Sequence, residues 1–360
     1  MEDRSNMKNP TRSYAYRGGN AQLVGILMVI GALCAAAVAG YALWSLIQGP
    51  QSGQTQNPSD VGLVDPMDGN QVSIAATDSI EEILGAVQVY VRNNQNGQAL
   101  TVLEHAVAQY AGDQELRFAL GDLYMIENRH SDAYGQYIAG IEIGPSTAVA
   151  EFTAGTLANM LDKLELAEIH YSKSMGMDPT NPDTPVFLAA IQIKMNQLVN
   201  AKINLAIAGK LAPENARIFA MRSEIALREN KLNIALDQIR KARAIDPDSL
   251  GWVLQEARVL KRDRKPEEAI NLMTALPEDQ LEVVEAAMIL AECYGMLGRP
   301  GDAASRLIDV AKKNPNDGKL AFDVALWLER AGERADAIAW ATKAKTLGHA
   351  NAQSWIESLD

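Results

Sequence analysis

Alanine returns every 34 residues along most of this 360-residue chain. It stands at Ala99, Ala133, Ala167, Ala201, Ala235, Ala269, Ala303 and Ala337, with no insertion anywhere in the series. A rhythm this regular marks one supersecondary unit stacked on copies of itself, because a unit this small cannot bury its apolar face alone. With Ile80 as position 1, eight units begin at Ile80, Gln114, Ala148, Pro182, Ala216, Leu250, Val284 and Gly318, and the last ends at Asn351.

Each unit is written as two helices joined by a short turn. Position 8 holds Val87, Gly121, Gly155, Ala189, Ser223, Ala257, Ala291 and Ala325, all small but the first. Position 24 is mostly large and apolar, as in Leu103, Tyr137, Tyr171, Leu205, Ile239, Met273 and Leu307. The small residues at positions 8 and 20 belong where the two helices cross, since a larger side chain would hold them apart and open a void. Gly121 thus accepts a helix-propensity cost of about 1 kcal/mol relative to alanine in return for close packing. Position 32 is Pro145, Pro179, Pro213, Pro247 and Pro315 in five units. Proline there cannot continue the preceding helix but suits the approach to the next.

Leu120-Gly121, Tyr124, Ala133, Tyr137 and Pro145 in unit two, and Leu290-Ala291, Tyr294, Ala303 and Pro315 in unit seven, resemble the tetratricopeptide repeat. The resemblance covers residues 80–351, about three quarters of the chain. It implies an all-α fold: a right-handed α-solenoid of eight helix-turn-helix repeats, with the first helix of each pair lining a concave face. Trp355, at position 4 of a truncated ninth unit, places a capping helix in residues 352–360 that covers the last apolar face. Ser79 with Glu82 forms a capping box at the first helix. Unit six departs from the pattern. Pro277 arrives four residues early, so its second helix should stop short, with unit seven's first helix starting near Pro277 and a kink or widened groove between them.

The amino-terminal part has a different grammar. No charged residue lies between Gly18 and Ser59, and Leu23 to Ile47 is almost wholly apolar. As a helix those 25 residues would extend roughly 37 Å, enough to cross a lipid bilayer with some tilt. The expected organisation is a cytoplasmic tail in 1–20, a transmembrane helix in 21–48 and a flexible linker in 49–79 rich in Gly, Pro, Ser, Gln and Asp. Arg4, Lys8, Arg12 and Arg17 precede the span, and no basic residue follows until Arg92, which puts the amino terminus in the cytoplasm and the repeats outside it. Ala37-Val38-Ala39 has the form of a signal-peptide cleavage site, but the apolar run continues to Ile47, which favours an uncleaved anchor. Gly31, Ala35 and Ala39 share one helix face at a spacing that permits self-association, and Cys34 lacks the flanks of a lipid-attachment site.

Net charge of −12 argues against nucleic acid or anionic lipid as a broad partner. Two cysteines, Cys34 and Cys293, and four scattered histidines give neither a disulfide framework nor a metal cluster. Asp178 to Asp183 faintly imitates a calcium loop but lacks its glycine and closing glutamate, so it reads as an inter-unit turn. No nucleophile elbow, phosphate loop or HExxH is present, and neither enzymatic activity nor a cofactor is expected.

Binding is then the expected activity, with protein or peptide partners in the concave groove. Position 5 is apolar throughout, which excludes the lysine and asparagine carboxylate clamp of the family's chaperone-docking members. Phe118, Met125, Phe152 and Met160 suggest an apolar strip in units two and three, unless they pack between units. Arg217, Arg228, Arg258, Lys261 and Arg262 form a basic site in units five and six suited to an acidic or phosphorylated segment, unless Glu256, Glu267 and Glu268 balance it. The expected function is a membrane-anchored interaction scaffold, in a bacterial inner membrane with a periplasmic repeat domain, supporting assembly, secretion or envelope complexes. The alternative is a holdase for exported chains that uses the apolar strip.

Overall fold

The computed structural model describes residues 79–359. Among these there are 18 helices and no strand. The helices come in pairs: α1 (Ile80–Arg92) with α2 (Asn96–Gln109), α3 (Gln114–Ile126) with α4 (His130–Ile143), and α5 (Ala148–Met160) with α6 (Leu164–Met177). Next come α7 (Asp183–Lys194) with α8 (Leu198–Leu211), α9 (Ala216–Arg228) with α10 (Leu232–Ile245), and α11 (Leu250–Arg262) with α12 (Pro266–Met273). A single turn, α13 (Glu278–Leu281), precedes α14 (Val284–Met296) with α15 (Pro300–Lys313), then α16 (Gly318–Arg330) with α17 (Arg334–Thr346), and finally α18 (Ala352–Glu357). Every substantial contact joins helices at most three apart in this order, so the fold is a stack in which each unit touches only its neighbours.

Local chemistry sets the helix ends. Side chains of Ser79, Asp113, Thr147, Asn215 and Asp317 cap first helices by accepting backbone N–H groups, and Ser79 and Glu82 form the expected reciprocal capping box. The turn inside each pair is built the same way every time. Position 15 takes a positive φ at Asn94, Asn128, Asp162, Asn196, Asn230, Arg264, Gly298 and Gly332. The next N–H then bonds back to the carbonyl five residues earlier, as in Arg129 to Tyr124 at 2.8 Å and Lys163 to Ala158 at 2.8 Å. Asparagine and glycine tolerate this conformation, which is why they fill most of the column.

Within a pair, packing turns on positions 8 and 24. A Cβ on Gly121 would lie 2.8 Å from the Tyr137 ring, and one on Gly155 would lie 2.9 Å from the Tyr171 ring. Both glycines therefore make room for a tyrosine, whereas Ala189 faces Leu205, Ala257 faces Met273 and Ala291 faces Leu307 in units whose position 24 is smaller. Ser223 shows the approach to position 20 directly, its hydroxyl donating to the Ala235 carbonyl at 2.8 Å.

Unit six stops short, as its early proline requires. Thr274 closes α12, and the chain passes Pro277 in extended conformation. Unit seven's first helix does not start near Pro277, however. It starts in register at Val284, and the separate turn α13 fills the place of the missing helical turn with the buried side chain of Leu281. The disruption brought by Pro277 is thus absorbed locally. At the far end, Trp355 of α18 packs edge-on against Phe322, with ring centroids 5.8 Å apart, and covers the last unit.

The tail expected in 1–20, the anchor in 21–48 with Cys34, and all of the linker in 49–79 but Ser79 lie outside the described residues. No helix among the described residues is long and apolar enough to cross a membrane.

Gly155→Ala should destabilise the protein by about 1–2 kcal/mol despite its better helix propensity, because the fully buried Tyr171 ring cannot yield. Gly135→Ala, on the open face of α4, should instead stabilise by up to about 1 kcal/mol. Paired thermal melts of the two variants make the comparison.

Candidate interaction surface

The residues that sequence reasoning assigned to a groove lie on first helices. Phe118 stacks on Tyr137 with centroids 5.2 Å apart, and its ring edge occupies the space over Gly140. Phe152 sits between Tyr171 and Phe187, at 5.4 and 5.0 Å, and so joins unit three to unit four. Met125 is buried and Met160 half-buried. These side chains act in packing between helices and units rather than as an open strip. The most exposed large apolar side chains stand on second helices instead, led by Val199 at 73% and Ile203 at 57% on α8.

The basic residues are largely engaged with the neighbouring unit. Arg258 pairs with Glu285, and Lys261 with Glu292, both partners coming from α14. Arg228 bonds to Glu224 at 2.8 Å and also to the Ile193 carbonyl one unit back. Lys194 reaches back in the same way to Asn159 at 2.7 Å, and Arg262 to Asn230 at 3.5 Å. Basic residues at position 13 thus tie units four, five and six each to the unit before it. Arg217 is half-buried in the first turn of α9, where its backbone N–H is capped by Asn215. The structure therefore brings Arg228, Arg258 and Lys261 into one ladder along the first helices, but as paired groups. The balancing carboxylates are Glu285 and Glu292, at positions 2 and 9 of the next unit, rather than Glu267 and Glu268. Glu256 is turned the other way, buried at 3% exposure between Arg240 and Arg243 of α10.

One polar cluster escaped the sequence reading. Glu151, at 1% exposure, accepts from or ion-pairs with His170 Nδ1 at 2.6 Å, and Lys173 Nζ stands 3.6 Å from its other oxygen. The far nitrogen of His170 lies 3.4 Å from the Tyr134 hydroxyl, which belongs to the preceding unit. Burial and the Glu151 charge hold the Tyr134 hydroxyl above its ordinary pKa. A histidine and a carboxylate in contact can move protons, but His170 is only 6% exposed and no substrate could reach it. The cluster is a polar joint between units two and three, where each buried polar atom must find a partner. Its signal in the sequence was weak because the partners lie on three different helices.

Two other groups have perturbed chemistry. Burial pushes the Cys293 thiol up to about 11, leaving it an unreactive packing residue. Burial also pushes the Asp323 carboxyl on α16 up to about 6, against the opposing pull of Lys319, with Asp317 and Glu292 adding to the rise. Asp178, in the turn before α7, accepts the Thr180 N–H and hydroxyl at 3.0 and 2.7 Å, as an inter-unit turn requires.

The sequence profile described as tetratricopeptide repeat matches residues 84–148, 254–305 and 296–352. The chain therefore contains tetratricopeptide repeats. Among solved structures, a tetratricopeptide repeat protein from Parabacteroides merdae ATCC 43184 superposes with a TM-score of 0.55 at 15% identity, over 68% of this chain and 97% of that one. The APC/C hetero-tetramer Cut9-Hcn1 gives 0.51 at 13% identity, over 78% of this chain and 55% of that one. At these identities the likeness is one of fold alone. No curated protein sequence matches the chain.

Asp323 yields a pH prediction. Its folded pKa of about 6 lies above the ordinary 3.8, so the folded state holds this proton more tightly. The associated stability is fully present below pH 3.8 and is lost as pH rises through about 6. Asp323→Asn should therefore stabilise the protein at neutral pH by about 1 kcal/mol, allowing for partial solvation, with the advantage vanishing in acid. Melting temperature against pH for both proteins is the test.

Proposed function

We propose that this chain is a membrane-tethered scaffold for protein–protein interaction, with its repeat domain outside the cytoplasm. The observation that carries the scaffold reading is the stack itself. A fold in which each unit touches only its neighbours offers a long, continuous surface and few enclosed cavities, which suits contact with other proteins rather than turnover of a small molecule. Tetratricopeptide-repeat proteins bind peptides and proteins in this way.

The tether rests on sequence. The uncharged stretch from Gly18 to Ser59, the basic residues before it and the Gly/Pro/Ser-rich segment after it support a span in 21–48 with a linker in 49–79. Small residues at Gly31, Ala35 and Ala39 would let two such spans associate. A bacterial inner membrane with a periplasmic repeat domain fits this arrangement, and assembly, secretion or envelope complexes are the processes it would serve. The holdase alternative loses its motive, because the rings of Phe118 and Phe152 are used in packing.

Photo-crosslinking in intact cells from half-buried first-helix positions, such as Met160 and Arg217, should trap a small set of discrete partners. A broad smear of unrelated proteins, or no adduct at all, would count against a scaffold. Added protease should cut the linker only once the outer permeability barrier is opened. Protection until the cytoplasmic membrane itself is broken would reverse the topology.

A further inference from the structure

Position 15 closes every first helix in the left-handed region, and in seven units it is asparagine, aspartate or glycine. Unit six places Arg264 there, at φ 58°. An arginine is poorly suited to that conformation, and a local rule broken this way persists where something else compensates. The surrounding run, Lys261-Arg262-Asp263-Arg264-Lys265, is the densest positive charge in a chain of net charge −12.

The structure sorts these cations. Lys261 is consumed by Glu292, and Lys265 is held by Asp263 at 2.7 Å. Arg262 is exposed and reaches only the neutral side chain of Asn230, in the turn of unit five. Arg264 is exposed too, and among the described residues none pairs with its guanidinium. Beside them Lys231 shares Glu229 with Lys202. The turn edge also carries Glu229, Asp263, Glu267 and Glu268, but Glu229 is held by Lys202 and Lys231, Asp263 by Lys265, and Glu268 stands 3.7 Å from Arg240, which leaves Arg262 and Arg264 there without a carboxylate partner among the described residues. Favourable interaction with the carboxyl end of α11 accounts for Arg262, the last residue of that helix. It does not account for Arg264, which lies beyond the helix end in the left-handed conformation that the other units give to Asn, Asp or Gly.

We propose that the turn edge of units five and six, formed by Arg262 and Arg264 with Lys231 and Lys265 beside them, docks an acidic segment of a partner protein. The inference rests on the scaffold reading and names the chemistry of one partner. Two guanidinium groups without carboxylates present forks that match carboxylates two bonds at a time. The patch is small and the rest of the chain is acidic, which suits a short run of Asp and Glu better than the extended charge of a nucleic acid or a lipid surface.

The test is fluorescence anisotropy of the full chain with a labelled peptide of alternating Glu and Asp. Controls are the matching Gln/Asn peptide and vesicles of phosphatidylglycerol. The acidic peptide should bind, the neutral one should not, and added salt should weaken binding. Arg262→Gln combined with Arg264→Asn should weaken it about tenfold or more. Arg264→Asn alone should raise the melting temperature, because asparagine accepts the turn, and should still lower affinity. A higher melting temperature with unchanged binding would mean that Arg264 serves no partner and would overturn the proposal. Vesicle binding without peptide binding would overturn it as well. If the double variant keeps every crosslinked partner of the wild type, this docking edge is wrong while the scaffold reading stands. If the wild type itself yields no partner, both fall.

Discussion

Two helices can nest only if one of them leaves a hollow where the other carries bulk. In this chain the hollow is position 8 and the bulk is position 24. Gly121 lies under Tyr137 and Gly155 under Tyr171, while alanine suffices opposite Leu205, Met273 and Leu307. Repeated at constant spacing in units two to seven, that fit makes a helical pair, and a helical pair with an apolar outer face must stack on another. The remaining architecture follows from it. The left-handed residue at position 15 returns the chain so that the two positions meet, and proline or a side-chain cap starts the next pair in register.

A nearest-neighbour stack has no single core to hold its register, so specific polar links between units matter more than in a globular domain. Here they are numerous and directional. Lys194, Arg228 and Arg262 each reach back one unit along the first helices, Arg258 and Lys261 reach forward to α14, and Glu256 is clasped by two arginines of α10. His170 and Glu151, with Tyr134, perform the same service between units two and three. Much of the charge on the first helices of units three to seven is therefore used internally.

Much of this was legible in the sequence, because periodicity survives averaging over eight copies. Helix pairing, the early stop of unit six and the closing role of Trp355 could all be read from spacing alone. The reason for Gly121 was read only in part: spacing pointed to the crossing with Ala133, whereas the ring of Tyr137 is what fills the space. The column of Asn, Asp and Gly at position 15 was present in the sequence and carried the turn geometry, yet it is visible only when the repeats are aligned and asked about φ. Partnerships across units were the least legible. Glu151 and His170 lie 19 residues apart on different helices, and the fate of Arg258 and Lys261 depends on α14. Seating Phe152 against Phe187 likewise requires knowing how one unit leans on the next.

A double-mutant cycle at Gly121 and Tyr137 tests the central fit most directly. With Tyr137 in place, Gly121→Ala should destabilise, since the new Cβ would stand 2.8 Å from the ring. In the Tyr137→Leu background, which reproduces the alanine and leucine pairing of units four and seven, the same substitution should stabilise by up to about 1 kcal/mol. A change of sign between the two backgrounds is the predicted result. The same destabilisation in both would show that the glycine serves something other than the ring, and the account of how these helices nest would be wrong.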